Sequence, residues 1–193
     1  MVFSSTIFLF IFLPIVLNFN FLIRNELKNT LLFFVSLGFY FWGEQWLVIF
    51  LIISVILNYI LALILEKIKS YNGGDKEKSI SEKLILMLAV LFNLSMLGYF
   101  KYSNFFFQNI INTFSLSIEW KTIILPIGIS FYTFQALSYV IDVYRDDVKA
   151  TKNIIDFGCY LTFFPQLIAG PIVRYVDISK QLKNRTNKDR LCE

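Results

Sequence analysis

The sequence predicts an all-α integral membrane protein, a multi-pass helical bundle with short, re-entrant and interfacial helices. Three observations lead there. The chain of 193 residues is 56% hydrophobic and 18% aromatic, with 22 phenylalanines. Several uncharged runs reach roughly 17 residues or more, enough to cross a hydrocarbon core about 30 Å thick. The last apolar segment is interrupted by Pro165, Gly170 and Pro171, and a straight spanning helix accommodates such breaks poorly.

The elements follow in order. Thr6 to Ile23 is uncharged and about long enough to span. It lacks a basic leading region and a small-residue cleavage site, so a retained helix is expected rather than a signal peptide. Pro14 is tolerated there as a kink. Arg24, Glu26 and Lys28 make a turn. From Asn29 to Leu65 the only charge is Glu44. At ~1.5 Å per residue that run would reach roughly 55 Å, too long for one crossing, so it must fold back. The break belongs at Trp42-Gly43-Glu44, where Tyr40, Trp42 and Trp46 suit an interfacial aromatic belt. Helices Thr30–Phe41 and Gln45–Leu65 result. Asn58, inside the second, reads as a helix–helix hydrogen bond.

Glu66 to Lys83, with Asn72-Gly73-Gly74 and mixed charge, reads as a solvated loop. Leu84–Phe100 is the next span. Tyr102 to Ile118 has no charge but many Asn and Ser residues. It is expected to be an interfacial amphipathic helix, with Phe105, Phe106, Ile110 and Phe114 toward lipid. Leu125–Ile141 then spans. Along it Gly128, Tyr132, Gln135, Tyr139 and Asp142 recur every three or four residues and share one helical face. A polar stripe at membrane depth must face protein or water, so both helix packing and a cavity wall satisfy it. A charged turn over Asp142–Asp156 leads to the broken segment Phe163–Val173.

The net charge is +4, from 18 Lys and Arg against 14 Asp and Glu. The basic residues lie between apolar segments, so they speak for orientation and lipid head groups rather than nucleic acid. With the N-terminus outside, Arg24, Lys28, Lys67, Lys69, Lys76, Lys78, Lys83, Arg145, Lys149 and Lys152 lie inside, and Lys101 and Lys121 outside. If Phe157–Val173 crossed fully, the six basic residues beyond it would lie outside and erase the bias. If that segment is re-entrant, residues 174–193 stay cytoplasmic and the bias is strong. Non-helical backbone at membrane depth is tolerated only where protein or water satisfies it. Charge and proline therefore both point to a re-entrant segment lining a cavity.

There is no histidine. That removes the commonest general base and the Ser–His and Cys–His nucleophile pairs. The two cysteines, Cys159 and Cys192, make neither a metal site nor a disulfide framework, and Cys159 reads as a small buried hydrophobe. No metal site and no tightly bound cofactor is expected.

Four stretches are family-like: MVFSSTIFLFIFLPI at the start, GYFKYSNFF (Gly98–Phe106), LPIGISFYTFQALSYVIDVYRDD from Leu125, and FFPQLIAGPIVRY from Phe163. Together they resemble the membrane-bound O-acyltransferase family, in its bacterial alginate O-acetyltransferase branch, over residues 1–185. The resemblance implies the N-terminal part of that fold, a ring of helices around a thin centre. It implies a multi-pass enzyme of the bacterial inner or plasma membrane. Such an enzyme takes an acetyl group from a cytoplasmic thioester, acetyl-CoA or an acyl carrier protein, and passes it to hydroxyls of an extracytoplasmic polysaccharide such as alginate. The other implied partners are the lipid bilayer and an acetyltransferase-type protein outside the membrane.

Residue by residue, the match carries over no catalytic group, because the family's histidine lies in a region absent from this sequence. It carries lining candidates instead: Gln135, Tyr139, Asp142, Pro165, Gln166, Gly170 and Pro171. Arg145 and Arg174 are candidates to meet donor phosphate on the cytoplasmic side, or are ordinary inside charges. Residues 186–193 turn away from the family's continuation, as a truncated, frameshifted or split reading frame would. The chain alone is therefore expected to have no transferase activity. Two other classes remain open: a non-catalytic remnant or assembly subunit, and a transporter or channel, whose binding sites also lie at broken helices.

Overall fold

The computed structural model describes residues 6–71, 79–114, 122–170 and 173–183, and these are helical with short connections and no strand. Two stretches, Asn25–Tyr71 and Ile80–Phe114, are long and apolar enough to cross a membrane. A π-helical turn, Phe8–Phe12, precedes α1, Leu13–Leu22. Pro14 stands at the start of α1, and a local widening of this kind absorbs the missing N–H. A 3-10 turn, Asn25–Leu27, then opens α2, Lys28–Glu44.

The fold-back falls where the sequence places it. Gln45 takes φ 51° and ψ −122°, and a second 3-10 turn, Gln45–Leu47, leads into α3, Val48–Tyr71. Hydrogen bonds fix the directions. At the start of α2, Asn29 donates to Asp156 (2.8 Å). Near its end, Tyr40 donates to the Ile127 carbonyl (2.9 Å) and Glu44 accepts from the Ile127 N–H (3.2 Å). At the end of α3, Lys69 is back at the first level, bonded to the Val143 and Tyr144 carbonyls and to Asp146. So α2 and α3 form an antiparallel pair. Tyr40 is buried and bonded rather than part of an aromatic belt, whereas Trp42 and Trp46 are exposed.

Three expectations need correction. The helix expected to stop at Leu65 continues to Tyr71, so the loop is shorter than Glu66–Lys83. The next helix, α4, runs unbroken from Ile80 to Phe114 instead of splitting into a span and a separate interfacial helix. One lysine, Lys101, on an exposed face does not interrupt hydrogen bonding along a helix, and no proline or glycine does so there. The apolar face expected of the interfacial helix is nonetheless present: Phe105, Phe106, Ile110 and Phe114 are exposed. Residues 115–118 lie outside those described. Finally, α5 is Ile129–Arg145 rather than Leu125–Ile141. Leu125 to Ile127 is non-helical, and Gly128 follows at φ 75°. A Cβ on Gly128 would stand 2.6 Å from the Leu167 carbonyl oxygen, so both backbone and neighbour require glycine.

α4 pairs antiparallel to α3. Phe50 meets Phe100 edge-on at 4.7 Å, and Asn58 and Asn93 bond each other reciprocally at 3.2 and 2.7 Å in the buried seam. The expected helix–helix role of Asn58 holds.

The broken segment forms a hairpin. It comprises α6, Ile154–Thr162, and α7, Phe164–Ala169; Val173 and Arg174 then lead into α8, Tyr175–Lys183. α6 climbs antiparallel to α5. Phe163 breaks it at ψ 108°, Pro165 restarts it within the first turn of α7, and Gly170 ends α7 in an extended conformation. The α7 tip is pinned by a bond from the Phe164 N–H to Ser36 Oγ (3.3 Å) and by rings of Phe8, Phe12 and Phe39 within 6 Å of Phe164. Leu167 lies beside Gly128, at the far end of α5. Arg174 is back beside Asp142. The segment thus leaves and rejoins the same end of the bundle.

Candidate functional site

The polar stripe of α5 faces this hairpin. Tyr132, Gln135, Tyr139 and Asp142 are all buried, as one-face spacing requires. Gln135 Nε2 donates to the Tyr160 carbonyl (3.0 Å), and the Tyr139 hydroxyl accepts from the Thr151 N–H (2.9 Å). Asp142 is paired with Arg174, which also reaches Asp147 (3.1 Å). Tyr160 ties the hairpin to itself by donating to the Val173 carbonyl (3.0 Å). The rings of Tyr139, Tyr160 and Tyr175 pack edge-on around that point, with centroids 4.9 and 5.1 Å apart.

The stripe therefore brings Gln135, Tyr139, Asp142 and Arg174 into one seam: Gln135 and Asp142 bond the hairpin, and Tyr139 bonds Thr151 just before it. Pro165, Gln166 and Gly170 sit half-buried at its tip. Pro171 lies outside the described residues. Arg145 is exposed at the end of α5 and does not join the seam.

Arg174 is not a bare cation awaiting phosphate. The hydrogen bond from its guanidinium to Asp142, together with that carboxylate's charge, holds it above its ordinary value. Asp142 is 3% exposed and Arg174 48%, so the pair has one foot in the protein and one in solvent. An anion arriving at Arg174 would compete with Asp147, the more exposed carboxylate.

Sequence reasoning missed Tyr160, Thr151 and Asp147, since nothing in their spacing marks them. It also missed Lys69, whose ammonium caps the last carbonyls of α5, a favourable end for a cation. Some buried polar atoms have no hydrogen-bond partner, among them the Tyr132 hydroxyl, Thr162 Oγ1 and Asp142 Oδ2. A buried orphan of this kind costs about 1–3 kcal/mol. A surface pocket between the end of α3 and the start of α4, lined by Glu66, Lys67, Ser81 and Lys152 among others, contains none of the predicted site residues. Among the described residues no three His, Cys, Asp or Glu side chains converge to hold a metal ion.

No family model matches the chain, and no solved structure does. Curated relatives do. The chain is 42% identical to the probable alginate O-acetylase AlgI of Pseudomonas aeruginosa, over 100% of its own length and 37% of the relative's. It is 41% identical to the protein of the same name from Azotobacter vinelandii, over 100% of its length and 38% of the relative's. It is 30% identical to the peptidoglycan O-acetyltransferase of Helicobacter pylori, over 97% of its length and 40% of that protein's. The chain spans less than half the length of these curated relatives.

Proposed function

We propose that this chain, whose resemblance to the alginate O-acetylase branch of the membrane-bound O-acyltransferases runs along its whole length, builds one wall of a membrane-embedded acetyltransferase. The enzyme moves an acetyl group from a cytoplasmic thioester, acetyl-CoA or an acyl carrier protein, to hydroxyls of an extracytoplasmic polysaccharide. The observation that carries the reading is 42% identity in a match that covers the whole chain. The names of the relatives allow alginate or peptidoglycan as acceptor, and the higher identity favours alginate.

Transfer to an alcohol needs a base for the hydroxyl proton and a dry, polarised place for the developing oxyanion. This chain contains no histidine, so the base comes from outside these residues. What the chain contributes is a protein-shielded hairpin at membrane depth, with Gln135, Tyr139, Asp142, Pro165, Gln166, Gly170 and Pro171 along the wall, and a cytoplasmic rim at Arg145 and Arg174. An extracytoplasmic acetyltransferase-type protein completes delivery to the polysaccharide.

Orientation follows from charge. Arg24, Lys28, Lys67, Lys69, Lys83, Arg145, Lys149, Lys152 and Arg174 belong to the bundle end where Asn29 meets Asp156 and Arg174 meets Asp142. Lys101 lies toward the other end. The positive-inside bias supports a cytoplasmic first end, with the N-terminus and the Trp42–Trp46 turn outside.

The test is a chimera. This chain replaces the matching N-terminal portion of the Pseudomonas aeruginosa relative in cells that lack that relative, and ester groups on secreted alginate are measured. The chimera restores acetylation, and the chain by itself gives none. A membrane-inserted chimera without ester, beside an active intact relative, rejects the reading.

A further inference from the structure

The turn between α2 and α3 is more elaborate than a membrane anchor needs. Trp42 is 72% exposed and Trp46 58%, and Glu44 lies between them in sequence. An interfacial tryptophan belt would account for the indoles alone. It does not account for Gln45, whose φ 51° and ψ −122° lie outside the regions open to a residue with a side chain. Such a conformation is strained and persists where surrounding structure imposes it. The other non-glycine residue at positive φ, Asp146, is an ordinary left-handed helix cap.

The surrounding structure is a polar cluster. Tyr40 and Glu44 grip both the carbonyl and the N–H of Ile127. Tyr132, one turn into α5, is 0% exposed and its hydroxyl has no hydrogen-bond partner; its N–H donates to the carbonyl of Gly128, the residue after Ile127. A buried donor without a partner is costly, and a hydroxyl or a water relayed from one would satisfy it.

We infer that the Trp42–Trp46 turn, with Glu44 and Tyr132 beneath it, is a docking lip for one pyranose ring of a polysaccharide. The indole faces stack on the C–H face of the ring. Glu44 accepts from vicinal hydroxyls, and Tyr132 donates through a bound water. The strained turn fixes both indoles relative to the carboxylate. That the ring belongs to the acetyl acceptor rests on the acyltransferase reading, whereas the lip itself rests on this geometry.

The chain has three tryptophans, so the full chain carrying Trp120→Phe, in lipid nanodiscs, leaves Trp42 and Trp46 as reporters. It is titrated separately with alginate oligosaccharide and with oligomers of N-acetylhexosamine. A saturable fluorescence change with at least one of them is expected, and the tighter of the two names the sugar class. Glu44→Gln, which still accepts from Ile127, weakens binding about tenfold. Trp42→Ala does the same, read from the remaining Trp46. Tyr132→Phe weakens it roughly threefold without loss of thermal stability, since it removes an unpaired buried hydroxyl. No saturable response to either sugar, or a response that Glu44→Gln and Trp42→Ala leave intact, overturns the lip and returns the turn to a plain lipid anchor. Binding needs no chemistry, so sugar binding beside an inactive chimera rejects the transferase alone. An active chimera whose protein shows no sugar response rejects the lip alone.

Discussion

At the scale of single residues, the decisive group is Arg174. It is the partner of a nearly buried carboxylate, and removing it leaves Asp142 charged and unpaired in low dielectric. Arg174→Ala should therefore lower the thermal unfolding midpoint in detergent. Asp147→Asn, on the exposed side of the clamp, should lower it less, and adding Asp142→Asn to Arg174→Ala should recover part of the loss. Equal effects of Arg174→Ala and Asp147→Asn would mean that the pair is only a surface bridge. Gly128 is the second sensitive position. Gly128→Ala meets the Leu167 carbonyl and a left-handed backbone together, and about 1–2 kcal/mol of destabilisation is expected from the backbone alone, measured by denaturant unfolding in micelles. The stripe on α5 was legible because a helix repeats and polar residues at membrane depth stand out. Its partners were not: Asp142 and Arg174 are 32 positions apart, and only the folded hairpin closes that distance.

At the scale of elements, sequence reasoning located the breaks better than the ends. Glu44 as the sole charge in a long apolar run, together with the length limit of a bilayer, placed the α2–α3 reversal correctly. Pro165 and Gly170 likewise marked the two interruptions of the hairpin. It failed where composition changes but the backbone does not. The polar, asparagine-rich second half of α4 looked like a new element, yet nothing there stops an i to i−4 ladder. It also failed at the start of α5, where Pro126 and Gly128 delay the helix although the residues from Leu125 on are apolar. The α3–α4 pairing yields a prediction at this scale. Asn58→Leu leaves Asn93 without its reciprocal amide and should cost roughly 1 kcal/mol in a detergent-denaturation assay. Replacing both asparagines by leucine should cost less than either single change, because no buried amide is then left unmet.

At the scale of the whole molecule, the fold sorts charge. The described basic residues other than Lys101 gather toward one end, and exposed aromatic and aliphatic side chains cover the flanks of α1, α3 and α4. In cells, with Cys192→Ser to remove the tail thiol, Ser179→Cys should resist a membrane-impermeant thiol reagent applied from outside, while Gln45→Cys should react. Labelling in the reverse pattern would invert the orientation. The hairpin has a further consequence for this arrangement. A loop that goes in and comes back the way it entered adds nothing to the tally of sides: insertions or deletions at its tip can reshape the interior without flipping whatever follows. Changes in this one segment therefore alter what the interior packs against while the residues that follow it stay at the same end of the bundle.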